Sequence, residues 1–502
     1  FVANFDARVR FVSSWRKWIV WTGKVWHTDE GAVMRIGVKS ARARLGAALD
    51  AYSDAVKELA EVEAAEGDVA PAKRKVKQAH AFVSWARKSQ QARAIQAMLS
   101  LARHAESIEV SHSCLDADAF LLNVENGTVD LRTGQLRPHS AADMITKIAP
   151  LTFDPNAEAP TWRTFLERSL GGDAEILTFL RRFVGYALTG DVREHCFVFC
   201  FGEGGNGKST FTQTVLGMLG NYAAPAPRSL IFKSRSERHP TELASLAGLR
   251  FAPCSEVAED QHLDEALLKD LTGGEQISAR RMHEDFWSFP PTHKLMLNGN
   301  HKPRVSGSDE GIWRRIRLVP WVAVAAEHKD PQLKDKLQAE LPGILAWAVR
   351  GCLEWQQHGL GAPAAVVAAT AHYREESDPL AEFFGLRCVF EEGAKVPRKM
   401  LRSTYEEYAQ ENGAKPLDAK SFAKRLRDHG VVDGDVWSQG KTVNGWRNVR
   451  LRNLEVEPLN VPGTSVPLGS SSGLIGNSNP SRGESTGDQY RDVPRLPRMG
   501  AA

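Results

Sequence analysis

A glycine-rich segment near the middle of the chain constrains the fold more than any other feature. Residues 202–210 read Gly-Glu-Gly-Gly-Asn-Gly-Lys-Ser-Thr, between the apolar run 196–201 and the helix-compatible residues 211–219. A strand, a glycine loop and a helix in this order form a P-loop, because glycines let backbone N–H groups turn inward around phosphate oxygens. A glycine-rich surface turn would not need that strand and helix. The sequence therefore predicts an α/β core that binds a nucleotide.

The loop residues have expected roles in holding ATP and Mg²⁺. We expect the Lys208 ammonium to reach the β- and γ-phosphates and the Ser209 hydroxyl to ligate Mg²⁺. The residues predicted to bind the nucleotide are Gly202, Glu203, Gly204, Gly205, Asn206, Gly207, Lys208, Ser209 and Thr210.

A P-loop nucleotidase also needs a carboxylate at the end of a neighbouring strand. The apolar run 249–255 ends at Glu256, which we predict to activate water and to contribute to Mg²⁺ binding. Glu259 and Asp260 are the alternative carboxylates, and a loop glutamate on the surface is the simpler interpretation.

Two further polar positions adjoin predicted strands, one after its strand and one before it. After the run 294–297, Asn300 is favoured over Asn298 to contact the γ-phosphate or the attacking water, although an Asn-Gly turn without ligand contact is the alternative. Paired arginines precede the apolar run 316–319, and Arg315 is predicted to stabilise transition-state charge at a neighbouring subunit's γ-phosphate. A basic surface patch is the alternative there.

These four elements, in this order, resemble superfamily 3 helicases of the AAA+ class. Residues 266–283 are similar to the family's additional motif between the second and third of these strands. In relatives this motif forms a loop that projects into the pore of a ring and touches single-stranded DNA. The resemblance implies that Lys269, Arg280 and Arg281 contact nucleic acid, against the alternative of a solvated charged helix and hairpin.

The flanking sequence extends the resemblance to phage and plasmid primase–helicases and to those of poxviruses. It implies a helical or mixed N-terminal domain (1–190), a superfamily 3 P-loop helicase domain (191–365), a winged-helix DNA-binding domain (370–455) and a disordered tail (456–502). One departure is that Ser255 stands where relatives often have a second acidic residue. The alternative to a metal-binding Glu256 is therefore that Ser209 and water hold the metal and Glu256 only activates water. No acidic triad or zinc ribbon of a primase is found, so priming is not predicted.

Composition agrees with a nucleic-acid partner. The chain is 42% hydrophobic and 25% charged, which is typical of a soluble globular protein, and no apolar run approaches the roughly 18–20 residues that span a bilayer. Residues 395–452 hold 13 Lys/Arg and 7 Asp/Glu, a charge of 13 − 7 = +6 against +3 for the whole chain. A basic segment beside an ATPase suits phosphate-backbone contacts, although an interface for an acidic protein would look the same.

The resulting expectation is an ATP-dependent DNA helicase of phage, prophage or plasmid replication. Its expected partners are single-stranded and forked DNA and further copies of itself in a hexameric ring, with a primase domain or protein as a candidate, and no membrane. We expect it in the cytoplasm of a bacterial host. The alternatives are another P-loop NTPase, such as a packaging motor or small-molecule kinase, and an origin-binding protein that does not unwind DNA.

Overall fold

The computed structural model describes residues 7–233, 240–257, 261–282, 285–305, 310–322, 330–378, 380–412 and 416–453, apart from the side chains of residues 240, 256 and 257. The chain divides into two compact units, one of residues 1–381 and 416–432, the other of residues 382–415 and 433–502. The predicted tail 456–502 lies outside the described residues. The fold is mixed α/β with a helical N-terminal region, as expected. None of the described helices is both long and apolar enough to cross a membrane.

A small sheet and three helices form the N-terminal region. The elements are β1 (Val9–Val12), β2 (Lys17–Trp21), β3 (Trp26–Thr28), α1 (Glu30–Ala64), α2 (Ala70–Lys88), α3 (Ala92–Ala102) and β4 (Glu109–Val110). Strands β2 and β3 form an antiparallel tryptophan hairpin, with Trp21 opposite Trp26. The Asp29 carboxylate accepts a hydrogen bond from the Ala32 amide (2.8 Å) and so caps the start of α1.

A second small sheet and two helices lead to the central domain. They are β5 (Leu121–Val124), β6 (Gly127–Asp130), β7 (Gln135–Arg137), α4 (Pro160–Ser169) and α5 (Ala174–Ala187). The three strands form an antiparallel meander with a tight turn between Val124 and Gly127. The Asp173 side chain accepts hydrogen bonds from the first turn of α5.

A parallel four-stranded sheet forms the centre of the first unit. In chain order its region contains β8 (Phe197–Phe201), α6 (Lys208–Leu219), α7 (Pro240–Ala244), β9 (Phe251–Val257), α8 (Glu265–Gly273), β10 (Ile277–Ala279), β11 (Trp287–Phe289), β12 (Lys294–Gly299), α9 (Glu310–Trp313) and β13 (Ile316–Pro320). The strand order is β13-β8-β12-β9, and all neighbours are parallel. The carboxyl ends of the four strands therefore lie at one edge of the sheet.

Both faces of this sheet are buried. Phe197 and Phe199 of β8 belong to one apolar cluster, whereas Val198 and Cys200 belong to the other. Side chains alternate between the faces of a strand, so an uninterrupted apolar run is what a two-sided core requires. Polar residues that function chemically are thereby confined to the strand ends and loops.

Helices complete both units. They and the last strands are α10 (Leu333–Ala339), α11 (Leu341–His358), α12 (Ala364–Glu376), α13 (Ala381–Arg387), β14 (Cys388–Val389), β15 (Lys395–Pro397), α14 (Arg398–Glu411), α15 (Ala419–Asp428), β16 (Val432–Ser438), β17 (Lys441–Arg447) and β18 (Arg450–Leu451). In the second unit, β15, β17 and β16 form a three-stranded sheet. The ring of Phe383 packs on those of Tyr405 and Tyr408 of α14.

Candidate active site

A cavity of about 640 Å³ opens beside the glycine-rich loop. One wall is the loop itself with the start of α6, and Asn300 stands at its edge. The remaining lining comes from α4 and from α10 with the residues before it. The lining residues are Pro160, Thr161, Thr164, Phe165, Arg168, Ser169, Gly204, Gly205, Asn206, Gly207, Lys208, Ser209, Thr210, Asn300, Asp330, Leu333 and Lys336.

Two glycines of the loop have backbones that other residues rarely adopt. Gly205 and Gly207 have φ angles of +77° and +94°. A Cβ atom on Gly207 would also lie 2.6 Å from the Phe165 ring, so the loop and α4 approach each other as closely as a hydrogen side chain permits. The predicted loop conformation thus depends on glycine for both torsion angle and space.

Lys208 is the first residue of α6 and is buried against the loop. Its ammonium donates hydrogen bonds to the carbonyl oxygens of Gly202 (2.7 Å) and Glu203 (2.9 Å) and to Asn206 Oδ1 (2.9 Å). Burial lowers the pKa of Lys208 from its usual value, because the charged form loses solvation. The cation is held at the cavity and surrounded by oxygen atoms, as it would be by phosphate oxygens.

The two candidate asparagines have different surroundings. Asn298 is buried within β12, and its amide donates to the Thr212 hydroxyl of α6 at 2.6 Å. Asn300 follows the strand, is exposed and lines the cavity, with its amide nitrogen 3.9 Å from where a Cβ of Gly204 would be. The structure therefore brings Asn300 to the glycine loop and gives Asn298 an internal contact.

The backbone of Glu256 lies at the same edge of the sheet. Strand β9 pairs with β12 so that Ser255 is opposite Asn298 and Val257 is opposite Gly299, which leaves Glu256 as the extra residue of a bulge. Its side chain, and both alternatives, Glu259 and Asp260, lie outside the described residues. The role of Glu256 in water activation and metal binding therefore stays a prediction.

The Mg²⁺ ligand predicted from the loop is compatible with its surroundings. Ser209 is exposed in the first turn of α6 and lines the cavity. Within the described ranges, no group of three or more His, Cys, Asp or Glu residues is arranged to hold a metal ion. Mg²⁺ commonly needs only one or two protein ligands beside phosphate oxygens and water, so a lone hydroxyl at the helix N-terminus fits it.

Sequence reasoning missed the far wall of the cavity. Ser169, at the end of α4, is 1% exposed, and its hydroxyl has no hydrogen-bond partner among the described residues. Lys336 of α10 forms an ion pair with Asp330 at 2.6 Å. No motif spacing marks these residues, because α4 precedes the glycine loop by more than thirty positions and only tertiary packing brings it there.

The structure does not place Arg315 at the cavity of its own chain. Arg315 is 8% exposed, and its guanidinium donates to the Thr272 hydroxyl (3.1 Å) and to the Gly311 carbonyl (2.7 Å). Its neighbour Arg314 is exposed. A contact of Arg315 with the nucleotide of another subunit stays a prediction, and Arg314 is better exposed for that role.

Two of the three predicted nucleic-acid residues lie on one hairpin. Strands β10 and β11 are antiparallel, with Ala279 opposite Trp287. Beyond them Arg280 lies over the Phe286 ring at 5.0 Å and Arg281 over the Trp287 ring at 5.7 Å. Phe286 is itself 61% exposed, an aromatic that the sequence analysis did not single out. Lys269 lies on α8, partly buried, and not on the hairpin.

Comparison with known proteins gives three family matches along the chain. Residues 1–171 match the family described as D5 N terminal like, residues 200–315 match a family of unknown function (DUF5906), and residues 375–458 match the family described as poxvirus D5 protein-like. The last two matches fall on the glycine-loop region and on the predicted C-terminal domain.

Several curated relatives come from large DNA viruses. "Putative helicase L207/L206" of Acanthamoeba polyphaga mimivirus is 25% identical over 54% of this chain and 31% of its own length. "Putative helicase 022R" of Frog virus 3 is 27% identical over 51% of this chain and 27% of its own, and "Putative primase C962R" of an African swine fever virus is 24% identical over 40% and 22%. The chain thus spans about a third or less of the length of these relatives.

Among solved structures, the NrS-1 C terminal region has a TM-score of 0.46 and 10% identity, covering 87% of this chain and 95% of that one. The two D5 matches and the relatives named for helicase and primase confirm the resemblance of this chain to the primase–helicases, including those of poxviruses.

Proposed function

We propose that the chain is an ATP-dependent DNA helicase of superfamily 3, with a P-loop AAA+ core, that acts in the replication of a phage, plasmid or virus. The observation that carries this proposal is the common cavity of the glycine loop, Lys208, Ser209 and Asn300. Strand β12 lies between β8 and β9, so Asn300 stands between the phosphate loop and the strand end that carries Glu256.

These residues divide the chemistry of phosphoryl transfer to water among them. Bound Mg²⁺ would neutralise charge on the β- and γ-phosphates, with Ser209 as its protein ligand and Glu256 nearby. The loop amides and Lys208 hold the phosphates, Glu256 accepts a proton from the attacking water, and Asn300 hydrogen-bonds the γ-phosphate. An arginine of a neighbouring subunit, Arg315 or the exposed Arg314, completes the charge stabilisation.

Movement along DNA is assigned to the β10–β11 hairpin. Its Arg280 lies beside the exposed Phe286 ring and its Arg281 beside the partly buried Trp287 ring, a combination that suits phosphate and base contacts on one strand. Lys269 supplements them from α8. Residues 370–455, which include the basic segment 395–452, are proposed as a winged-helix domain that binds DNA. The proposed domain limits remain 1–190, 191–365 and 370–455. We propose that copies of the chain assemble into a hexameric ring.

The first test compares ATP hydrolysis by the wild type and by Lys208→Ala. We expect at least a hundredfold loss of turnover, because the replaced ammonium stabilises charge on the transferred phosphoryl group. Lys57→Ala is a matched control, since Lys57 is exposed on α1. Wild-type turnover by Lys208→Ala would contradict the site assignment.

The second test adds single-stranded DNA and then a forked duplex to the wild-type protein. A helicase should hydrolyse ATP faster with single-stranded DNA and should separate the fork. Hydrolysis that ignores DNA would indicate another class of P-loop NTPase. Duplex binding without strand separation would indicate an origin-binding protein.

A further inference from the structure

The first two helices of the chain pair along their length as an antiparallel arm. Residues 30–88, here called the helical arm, contain α1 and α2. Lys75 forms an ion pair with Glu58, the Tyr52 and His80 rings lie 5.8 Å apart, and Arg44 lies over Trp85. Residues later in α2 therefore contact residues earlier in α1, so the two helices run in opposite directions.

Charge is unevenly distributed along the helical arm. Its distal end carries acidic residues on α1, and Glu63 and Glu58 pair with Lys73 and Lys75 of α2. The proximal part of α1, residues 31–49, has 4 Lys/Arg and no Asp or Glu, and the proximal part of α2, residues 77–88, has 3 Lys/Arg and no Asp or Glu. Residues 31–49 and 77–88 thus form a positive surface without carboxylates among them, and of its cations Arg35 pairs with Asp29, which precedes the arm.

An exposed aromatic pair lies within this positive surface. The rings of Phe82 and Trp85 are stacked, with centroids 5.7 Å apart and planes 13° apart, and their side chains are 42% and 48% exposed. The Arg44 guanidinium lies 5.6 Å from the Trp85 ring centre. The pair is held firmly, because Val83 and Ala86 of the same helix are buried with Ala48 of α1.

We propose that this surface binds single-stranded DNA, independently of the nucleotide site and the β10–β11 hairpin. A nearly parallel, exposed ring pair offers a face on which an unpaired base stacks, and the surrounding cations meet the phosphate backbone. Excess positive charge without acidic residues favours a polyanion over an ordinary protein partner. Duplex DNA hides its base faces, so the rings favour a single strand.

The test measures binding of fluorescent oligo-dT to the full chain by anisotropy, without nucleotide. Replacing Trp85 by Leu removes the π-face but keeps an apolar side chain, and we expect about a tenfold weaker complex, the lower range for loss of one stacked base. Trp85→Phe keeps a ring and should bind within about twofold of the wild type. Arg44→Gln should reduce the slope of log affinity against log salt concentration by about 0.7, the loss of one phosphate contact to a single strand.

Two controls and a measurement of self-association separate this inference from the proposed function. A blunt duplex of the same length should bind equally to the wild type and Trp85→Leu, because its bases are already stacked. Lys208→Ala should bind oligo-dT normally, so failure of the ATPase assignment would leave this test intact. Equal oligo-dT affinity of Trp85→Leu and the wild type would overturn the inference. Loss of self-association in Trp85→Leu would also overturn it, because the ring pair would then be a contact between copies of the chain.

Discussion

At the level of one residue, a substitution of Gly207 is the sharpest test of whether the glycine loop binds phosphate. Its φ of +94° and the 2.6 Å approach of a Cβ to the Phe165 ring both oppose any side chain. We expect Gly207→Ala to weaken ATP binding at least tenfold, because backbone N–H groups of the loop would turn away from the phosphates. Nucleotide affinity measured by titration calorimetry checks this.

Gly204 is the matched control for that substitution. A Cβ on Gly204 would meet only the Asn300 amide nitrogen, at an ordinary 3.9 Å, and its φ is not positive. Gly204→Ala should therefore bind ATP within about threefold of the wild type. Equal losses in both variants would show that the loop tolerates no methyl group anywhere and would contradict the assigned geometry.

His293 predicts a pH dependence of stability. It is 3% exposed, and burial, assisted by the adjacent Lys294 charge, lowers its pKa to about 4 from 6.5. Between these pH values the unfolded chain binds a proton that the folded protein does not. The contribution of the neutral His293 to the free energy of unfolding is therefore fully present above pH 6.5 and is lost as the pH falls towards 4. The loss is about 2 kcal/mol at pH 5.

The measurement is urea unfolding of the wild type and His293→Leu at pH 7 and pH 5. The variant should lack this loss, so the difference in unfolding free energy between the two proteins should change by about 2 kcal/mol with pH. The same exchange at the exposed His104 should leave that difference unchanged. If the difference in unfolding free energy between the wild type and His293→Leu were the same at pH 7 and pH 5, the pKa of His293 would not be lowered in the folded protein. That outcome would contradict the prediction.

Among the elements, the β10–β11 hairpin can be altered without changing a residue of the cavity beside the glycine loop. Replacing Arg280 and Arg281 together by Gln should leave hydrolysis without DNA unchanged, because neither residue lines the cavity. Stimulation by single-stranded DNA should fall at least tenfold if, as proposed, both charges contact phosphates. ATPase rates with and without oligo-dT check this, and Arg132→Gln is the control, because Arg132 also lies over a phenylalanine ring.

Elements whose signals are local could be predicted from the sequence, and those made by distant packing could not. The β8–loop–α6 succession, the tryptophan hairpin and the position of Asn300 after β12 all follow from adjacent residues. The wall supplied by Phe165 and Ser169 depends on α4 packing against the loop, which no spacing records. The position of Arg315 before a strand is a local signal, whereas its burial depends on contact with Thr272, a residue 43 positions away.

At the scale of the whole molecule, the question is whether a neighbouring subunit completes the active site. In a ring, a subunit with Glu256→Gln still offers its arginine, and a subunit with Arg314→Ala still offers its carboxylate. Mixed rings should therefore contain some intact sites and recover ATPase activity that neither variant has alone. Activity measured over a series of mixing ratios should rise to a maximum near equal amounts.

The same mixing experiment separates the two arginines. Arg315 bonds Thr272 and Gly311 within its own chain, so its loss should impair the subunit that carries it, and mixing with Glu256→Gln subunits should restore little. Arg315→Ala should also unfold at lower temperature than Arg314→Ala, because a buried hydrogen-bonded cation is removed from its partners. Recovery with Arg315→Ala but not with Arg314→Ala would instead support Arg315 as the residue that reaches across. Recovery with neither would argue against a site shared between subunits.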